Sequence, residues 1–103
     1  MKIINMKEVI KPKVKTLAVG ESFTTKEMDG KKDMFLPEHS SNIESVIFIH
    51  EGECILLINE KEVVMKPGDA FIIPPYIKHQ FKGITDFKGI HFMPNEIAFE
   101  FFN

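Results

Sequence analysis

Lys66-Pro67-Gly68-Asp69-Ala70-Phe71-Ile72-Ile73-Pro74-Pro75-Tyr76-Ile77-Lys78-His79 is the stretch of this sequence that decides its fold. Gly68 supplies the backbone freedom of a tight turn entering a strand. Ala70 to Ile73 has the length and branching of a short strand. Pro74 ends strand pairing because it has no amide hydrogen to donate. His79 then opens the next strand, with its ring facing inward.

Working outward, turn signals recur every eight to twelve residues: around 37–42, at Glu51-Gly52-Glu53, at 59–61, at Pro74-Pro75, at 83–86 and at Pro94-Asn95. Between them lie apolar runs of strand length at 45–49, 54–58, 63–65, 70–73 and 87–92, and no segment of helical length keeps a 3.6-residue period. The expectation is an all-β sandwich or small barrel. Residues 3–19 are loosely strand-like, and the polar stretch 21–32, with its Asp29-Gly30 turn signal, reads as hairpin or loop. Several runs are apolar on both faces: Val46 and Phe48 alternate with Ile47 and Ile49, and Ile55 and Leu57 with Leu56 and Ile58. A strand in an isolated sandwich should have one wet face. Either the N-terminal arm or a second subunit could cover the other face, and in a domain this small we expect a homodimer packed sheet to sheet, with the arm exchanged or added across the interface.

Composition narrows the function. A chain of 103 residues has room for one domain. Thirteen basic residues against fifteen acidic ones give a formal charge of −2, so no basic face exists for a nucleic acid partner. Lys11, Lys13 and Lys15 alternate along one strand face and read as a solvated edge. Cys54 is the single cysteine, which excludes an internal disulfide. Nowhere do eighteen apolar residues run together, and the first twenty lack a signal peptide's apolar stretch. The expectation is a cytoplasmic protein without a membrane partner.

The stretch quoted above resembles the second sequence motif of the cupin superfamily: Gly68, Pro74 and His79 fall in register, while Tyr76 stands where the family has Gly and Gly83 where it has Asn. Counting back from Gly52 places the first motif with His39 and Ser41 at its two histidine positions and Ser45 at its glutamate position. The resemblance spans residues 35–92 and is nearest to small single-domain bacterial members with Pro-Glu-His, here Pro37-Glu38-His39, before the first metal strand. It implies a double-stranded β-helix, or jelly-roll, barrel at 35–103. Residues 1–34 would form strands or an arm packed on that barrel or on a partner subunit.

The resemblance also implies a divalent transition metal (Zn, Ni, Fe or Mn) held by three histidines and a carboxylate, of which this chain keeps His39 and His79. Glu44 lies one residue from the glutamate position, and a one-residue shift turns a strand side chain to the opposite face, which makes it a poor replacement. His91 is the better third ligand. A three-residue loop at 84–86 would set it opposite His79, a four-residue loop would put Ile90 there, and the sequence leaves both registers open. His50, on the family register, falls on the outer face.

Three functions follow from the resemblance. The first is a small-molecule pocket lined by Phe35, His39, Ser41, Ser45, Ile47, Ile49, Phe71, Tyr76, His79, Phe81 and His91, taking an apolar or carboxylate-bearing ligand. The second is a metal-dependent enzyme of dioxygenase or isomerase type on His39, His79 and His91. The third is an assembly or regulatory unit with a vestigial pocket. No catalytic base paired with a nucleophile is visible in the sequence.

Overall fold

Strand formation follows the apolar runs and extends beyond them. A computed structural model describes residues 9–102, and among these every regular element is a strand. In chain order they are β1 (Val14–Val19), β2 (Phe23–Gly30), β3 (His39–Ser41), β4 (Ser45–Glu51), β5 (Cys54–Ile58), β6 (Lys61–Met65), β7 (Ala70–Ile73), β8 (His79–Gly83), β9 (Phe87–Pro94) and β10 (Phe99–Phe101). They form two five-stranded antiparallel sheets, ordered β1-β2-β9-β4-β7 and β10-β3-β8-β5-β6. The interior lies between them.

The period-2 alternation of β4 sets which side chains enter that interior: Ser45, Ile47 and Ile49 are buried, while Val46, Phe48 and His50 face out. Its partners obey the same face, because directly paired residues project to the same side. Ile47 pairs with His91 and Phe71, Ser45 with Ile73, and Ile49 with Gly89. Glu44, just before the strand, is exposed. At one end of the barrel Ile49, Cys54, Leu56, Met65 and Phe87 fill the space completely. Each of these large side chains contributes about 1.5–3 kcal/mol by leaving water. Burial pushes the Cys54 thiol up to about 12, which makes it a packing group.

Two readings of the sequence change. Residues 23–30, taken as hairpin or loop, are the strand β2, paired with β9 over all eight residues from Phe23–Pro94 to Gly30–Phe87. Its polar composition disguised it: one face is wet, and the other carries Thr24, Lys26 and Met28 rather than a hydrophobic row. The part of the N-terminal arm at residues 1–8 lies outside the described residues. The second change concerns β8 and β9, which belong to different sheets and do not form a hairpin, so His79 and His91 approach across the barrel. Neither loop length considered for 84–86 decides their geometry.

The connections carry their own constraints. Asn59 and Glu60 both have positive φ, 56° and 62°, as a two-residue type I′ hairpin between β5 and β6 demands. Gly52 is where the chain crosses from the β4 sheet to the β5 sheet. It has φ +71°, and a Cβ there would collide with the backbone of Asp86 and Phe87. Gly68 has φ +96° but open space around it. Gly52→Ala should lower unfolding free energy in urea by about 2–4 kcal/mol, through strain and clash together. Gly68→Ala should cost only about 1–2 kcal/mol, the conformational part alone. Equal losses would contradict this ranking.

Candidate functional site

At the other end the two sheets do not close on each other, and a cavity of about 590 Å³ opens between them. Its floor is Leu36, Ile47, Ile73 and Phe81, all buried. Three imidazoles enter from different strands: His39 from the start of β3, His79 from the start of β8, and His91 from the middle of β9. His39 and His79 are cross-strand partners with ring centroids 4.4 Å apart, edge to face. Phe99 and Phe101 of β10 flank the mouth, 5.5 and 5.4 Å from the His39 ring.

The hydrogen bonds fix how these rings present themselves. His39 Nδ1–H donates to the carbonyl of Pro37 and His79 Nδ1–H to that of Ile77, each at 3.0 Å. A neutral ring so anchored keeps its lone pair on Nε2, and among the described residues no buried side-chain nitrogen or oxygen lacks a partner. His91 is held differently: its Nε2 shares a 2.7 Å hydrogen bond with the Ser45 hydroxyl. All three are held neutral. Burial lowers His39, and it brings His79 to about 4, with the nearby His39 adding to the effect. Burial also brings His91 to about 4, helped by His39, His79 and Lys26.

The remaining pocket residues expected from the sequence are distributed more widely. Ile47 and Phe81 line the cavity. Ser45 lies behind His91 and orients it; the hydroxyl is not part of the cavity wall. That Ser45–His91 pair joins positions 46 apart in sequence, which hid it from inspection. Ser41 is buried and donates to the carbonyl of Ile43 at 3.0 Å. Ile49 lies in the closed end, and Phe71 packs against the core from β7 without reaching the cavity. Phe35 turns away, its ring 5.3 Å from Lys82 Nζ, and Leu36 takes the inward place. Tyr76 is 75% exposed with φ 65°, beside a separate surface groove with Glu38 and Asn59.

Sequence reading missed several residues of the cavity wall, Leu36, Ile73 and Met93 among them, and two groups in particular. Lys26 and Met28 were hidden in a polar segment read as hairpin or loop, and Phe99 and Phe101 in a short C-terminal strand. The alternation Phe99-Glu100-Phe101 was the available signal for the second group. Lys26 had none, because a lysine on an inner strand face contradicts the pattern used to find such faces.

A metal of the kind the fold family implies fits this site poorly. His39 and His79 present free Nε2 atoms with a backbone-anchored Nδ1, as metal-bound imidazoles do. But among the described residues the cavity wall contains no carboxylate, and the Nε2 of His91 is occupied by Ser45. Among the described residues no three His, Cys, Asp or Glu side chains converge on a point where an ion could sit.

Comparison with known proteins agrees with the architecture. A family model described as a cupin domain matches residues 14–92. A salicylate 1,2-dioxygenase from Pseudaminobacter salicylatoxidans superposes with a TM-score of 0.79 at 11% identity, over 87% of this chain and 30% of that one. The chain therefore spans under a third of the dioxygenase's length. A cupin superfamily protein from Desulfitobacterium hafniense gives 0.74 at 16% identity, over 88% and 83% of the two chains. A conserved protein of unknown function from Streptococcus pyogenes gives 0.70 at 17%, over 82% and 77%. No curated protein matches. These likenesses show the fold. The family match runs from the start of β1 almost to the end of β9 and takes in both motifs, and on that match the chain belongs to the cupin family.

Proposed function

We propose that this cupin binds a small molecule in the cavity between its sheets. One observation carries the reading: three imidazoles from three strands reach a single largely apolar cavity of about 590 Å³, and two of them keep Nε2 free to accept a hydrogen bond. A few convergent polar atoms on an apolar wall are the usual make-up of a ligand site. Benzyl alcohol, a neutral probe with one donor, should cause saturable amide shifts in 15N-labelled protein at His39, Ile47, Ile73 and His79. His39→Leu and His79→Leu keep the volume and remove the acceptor, and each should weaken binding by about three- to tenfold. Shifts scattered over the surface, or unchanged affinity in both variants, would contradict the reading. The second reading, a metal-dependent enzyme, is favoured by the anchored Nδ1 atoms of His39 and His79. Stoichiometric transition metal in untagged protein, lost in those same variants, would replace the first reading with it.

Neutral imidazoles tie stability to pH. His79 and His91 bind protons more weakly folded, at about 4, than in the unfolded chain near 6.5. The unfolded state therefore carries more protons between those values, and stability rises with pH across that window and falls as pH drops through it. Wild-type protein should lose a few kcal/mol from pH 7 to pH 4. His79→Gln should show a shallower loss confined to the same window; parallel curves would argue against a buried neutral His79.

The outer face of the β2-β9-β4-β7 sheet is the surface we assign to homodimer formation. Val46 and Phe48 of β4 stand beside Phe92 and Ile90 of β9 and Ile72 of β7, with Ile72 57% and Phe92 36% exposed. The Glu27–His50 side-chain hydrogen bond, at 2.8 Å, sits on the same face. Ile72→Glu with Phe92→Glu should convert a two-chain particle into a one-chain particle in light scattering, with the amide spectrum of the fold retained. A wild-type protein that scatters as one chain at high concentration would contradict the assignment.

A further inference from the structure

The pairing of β2 with β9 puts Lys26 directly opposite His91, on the inner face of the sheet. Lys26 is half-buried and lines the cavity. A lysine on a cavity wall can meet an anion that enters the cavity. Among the described residues the cavity wall holds two lysines and three histidines but no aspartate or glutamate. Glu27, the next residue, points to the opposite face, where it pairs with His50. Among the described residues Lys26 makes no side-chain hydrogen bond or ion pair. The second lysine, Lys11, is exposed at the rim. Among the described residues Lys26 is therefore a lysine on the cavity wall with no counter-charge beside it.

We propose that Lys26 is the anion-recognition group of the cavity and that its ligand is an amphipathic monocarboxylate. The head would sit between Lys26 and His91, and the apolar body would lie on Met28, Ile47, Phe99 and Phe101. A single charge fits better than a phosphate, because one half-buried ammonium faces a wall that is otherwise mostly apolar. The identification rests on the pocket reading above and adds to it the chemical class of the ligand.

The test uses the full chain and matched probes: benzoate against benzamide, and octanoate against octanamide, titrated into 15N-labelled protein at low salt. Each carboxylate should bind about tenfold more tightly than its amide, and added salt should narrow the gap. Lys26→Met keeps the apolar stem next to Met28 and removes the charge. It should weaken the carboxylates by about tenfold and leave the amides within about twofold; Lys26→Gln should do the same if Met disturbs the strand. Equal binding of acid and amide to wild type overturns the carboxylate assignment while leaving the pocket reading intact. So does an equal loss of both in Lys26→Met, which would make the side chain a packing group. If no probe shifts the cavity amides, both readings fall together.

Discussion

The double pairing of β9 is the constraint on which the site depends. One edge of the strand is hydrogen-bonded to β2 through eight residues and the other to β4 from Val46 to Glu51, so neither its register nor its facing is free. A slip by one residue would turn every side chain over. Held in place, β9 sends His91 inward between Lys26 on one neighbour and Ile47 on the other. Two residues earlier the same face carries Gly89, and a Cβ there would lie 3.2 Å from the terminal methyls of both Ile47 and Ile49. The missing side chain lets the interior fill tightly at Gly89. The larger imidazole at His91 stands where the barrel begins to open.

Serine at the two expected ligand positions changes what the barrel can do. A glutamate at position 45 would bring a charge into the cavity; Ser45 brings a hydroxyl that is consumed by His91. Ser41 is likewise consumed by a backbone carbonyl. Both serines take the place of metal donors and serve as internal scaffolding, and among the described residues the cavity wall carries no carboxylate. The three imidazoles, deprived of any anionic neighbour, are driven neutral by burial. The net effect is a cavity wall with acceptor nitrogens and two lysines, the features on which the proposed carboxylate ligand rests.

Much of the fold was legible because it is written in local signals. Gly68, Pro74 and His79 mark a turn, a strand end and a strand start, and the family register counted from Gly52, not the two-faced apolar alternation of β4, put Ser45, Ile47 and Ile49 inward. Legibility failed where side-chain character and position disagree. β2 was unreadable because its inner face carries Thr24 and Lys26, and its existence is enforced by the ladder to β9 rather than by its own composition. The contact between Ser45 and His91 was beyond reach for another reason: it depends on strands from distant parts of the chain being neighbours in one sheet, which no local pattern encodes. Phe35 and Leu36 show a smaller failure, since two adjacent apolar residues give no clue to which one faces in.

Those failures point to where the chain departs from the rules of an isolated sandwich. It keeps hydrophobic side chains on an outer sheet face, at Val46, Phe48, Ile72, Ile90 and Phe92, and a lysine on an inner one. The first leaves apolar area wet, and the second places a cation on a cavity wall that has no counter-charge among the described residues. Departures of this kind persist when something outside the chain relieves them. The two proposed reliefs are of different kinds, a second apolar surface for the outer face and an anion for the inner one, and β9 would join them physically. Its residues alternate between the two faces, so Ile90 and Phe92 at an interface and His91 at a ligand would be consecutive positions on one rigid strand.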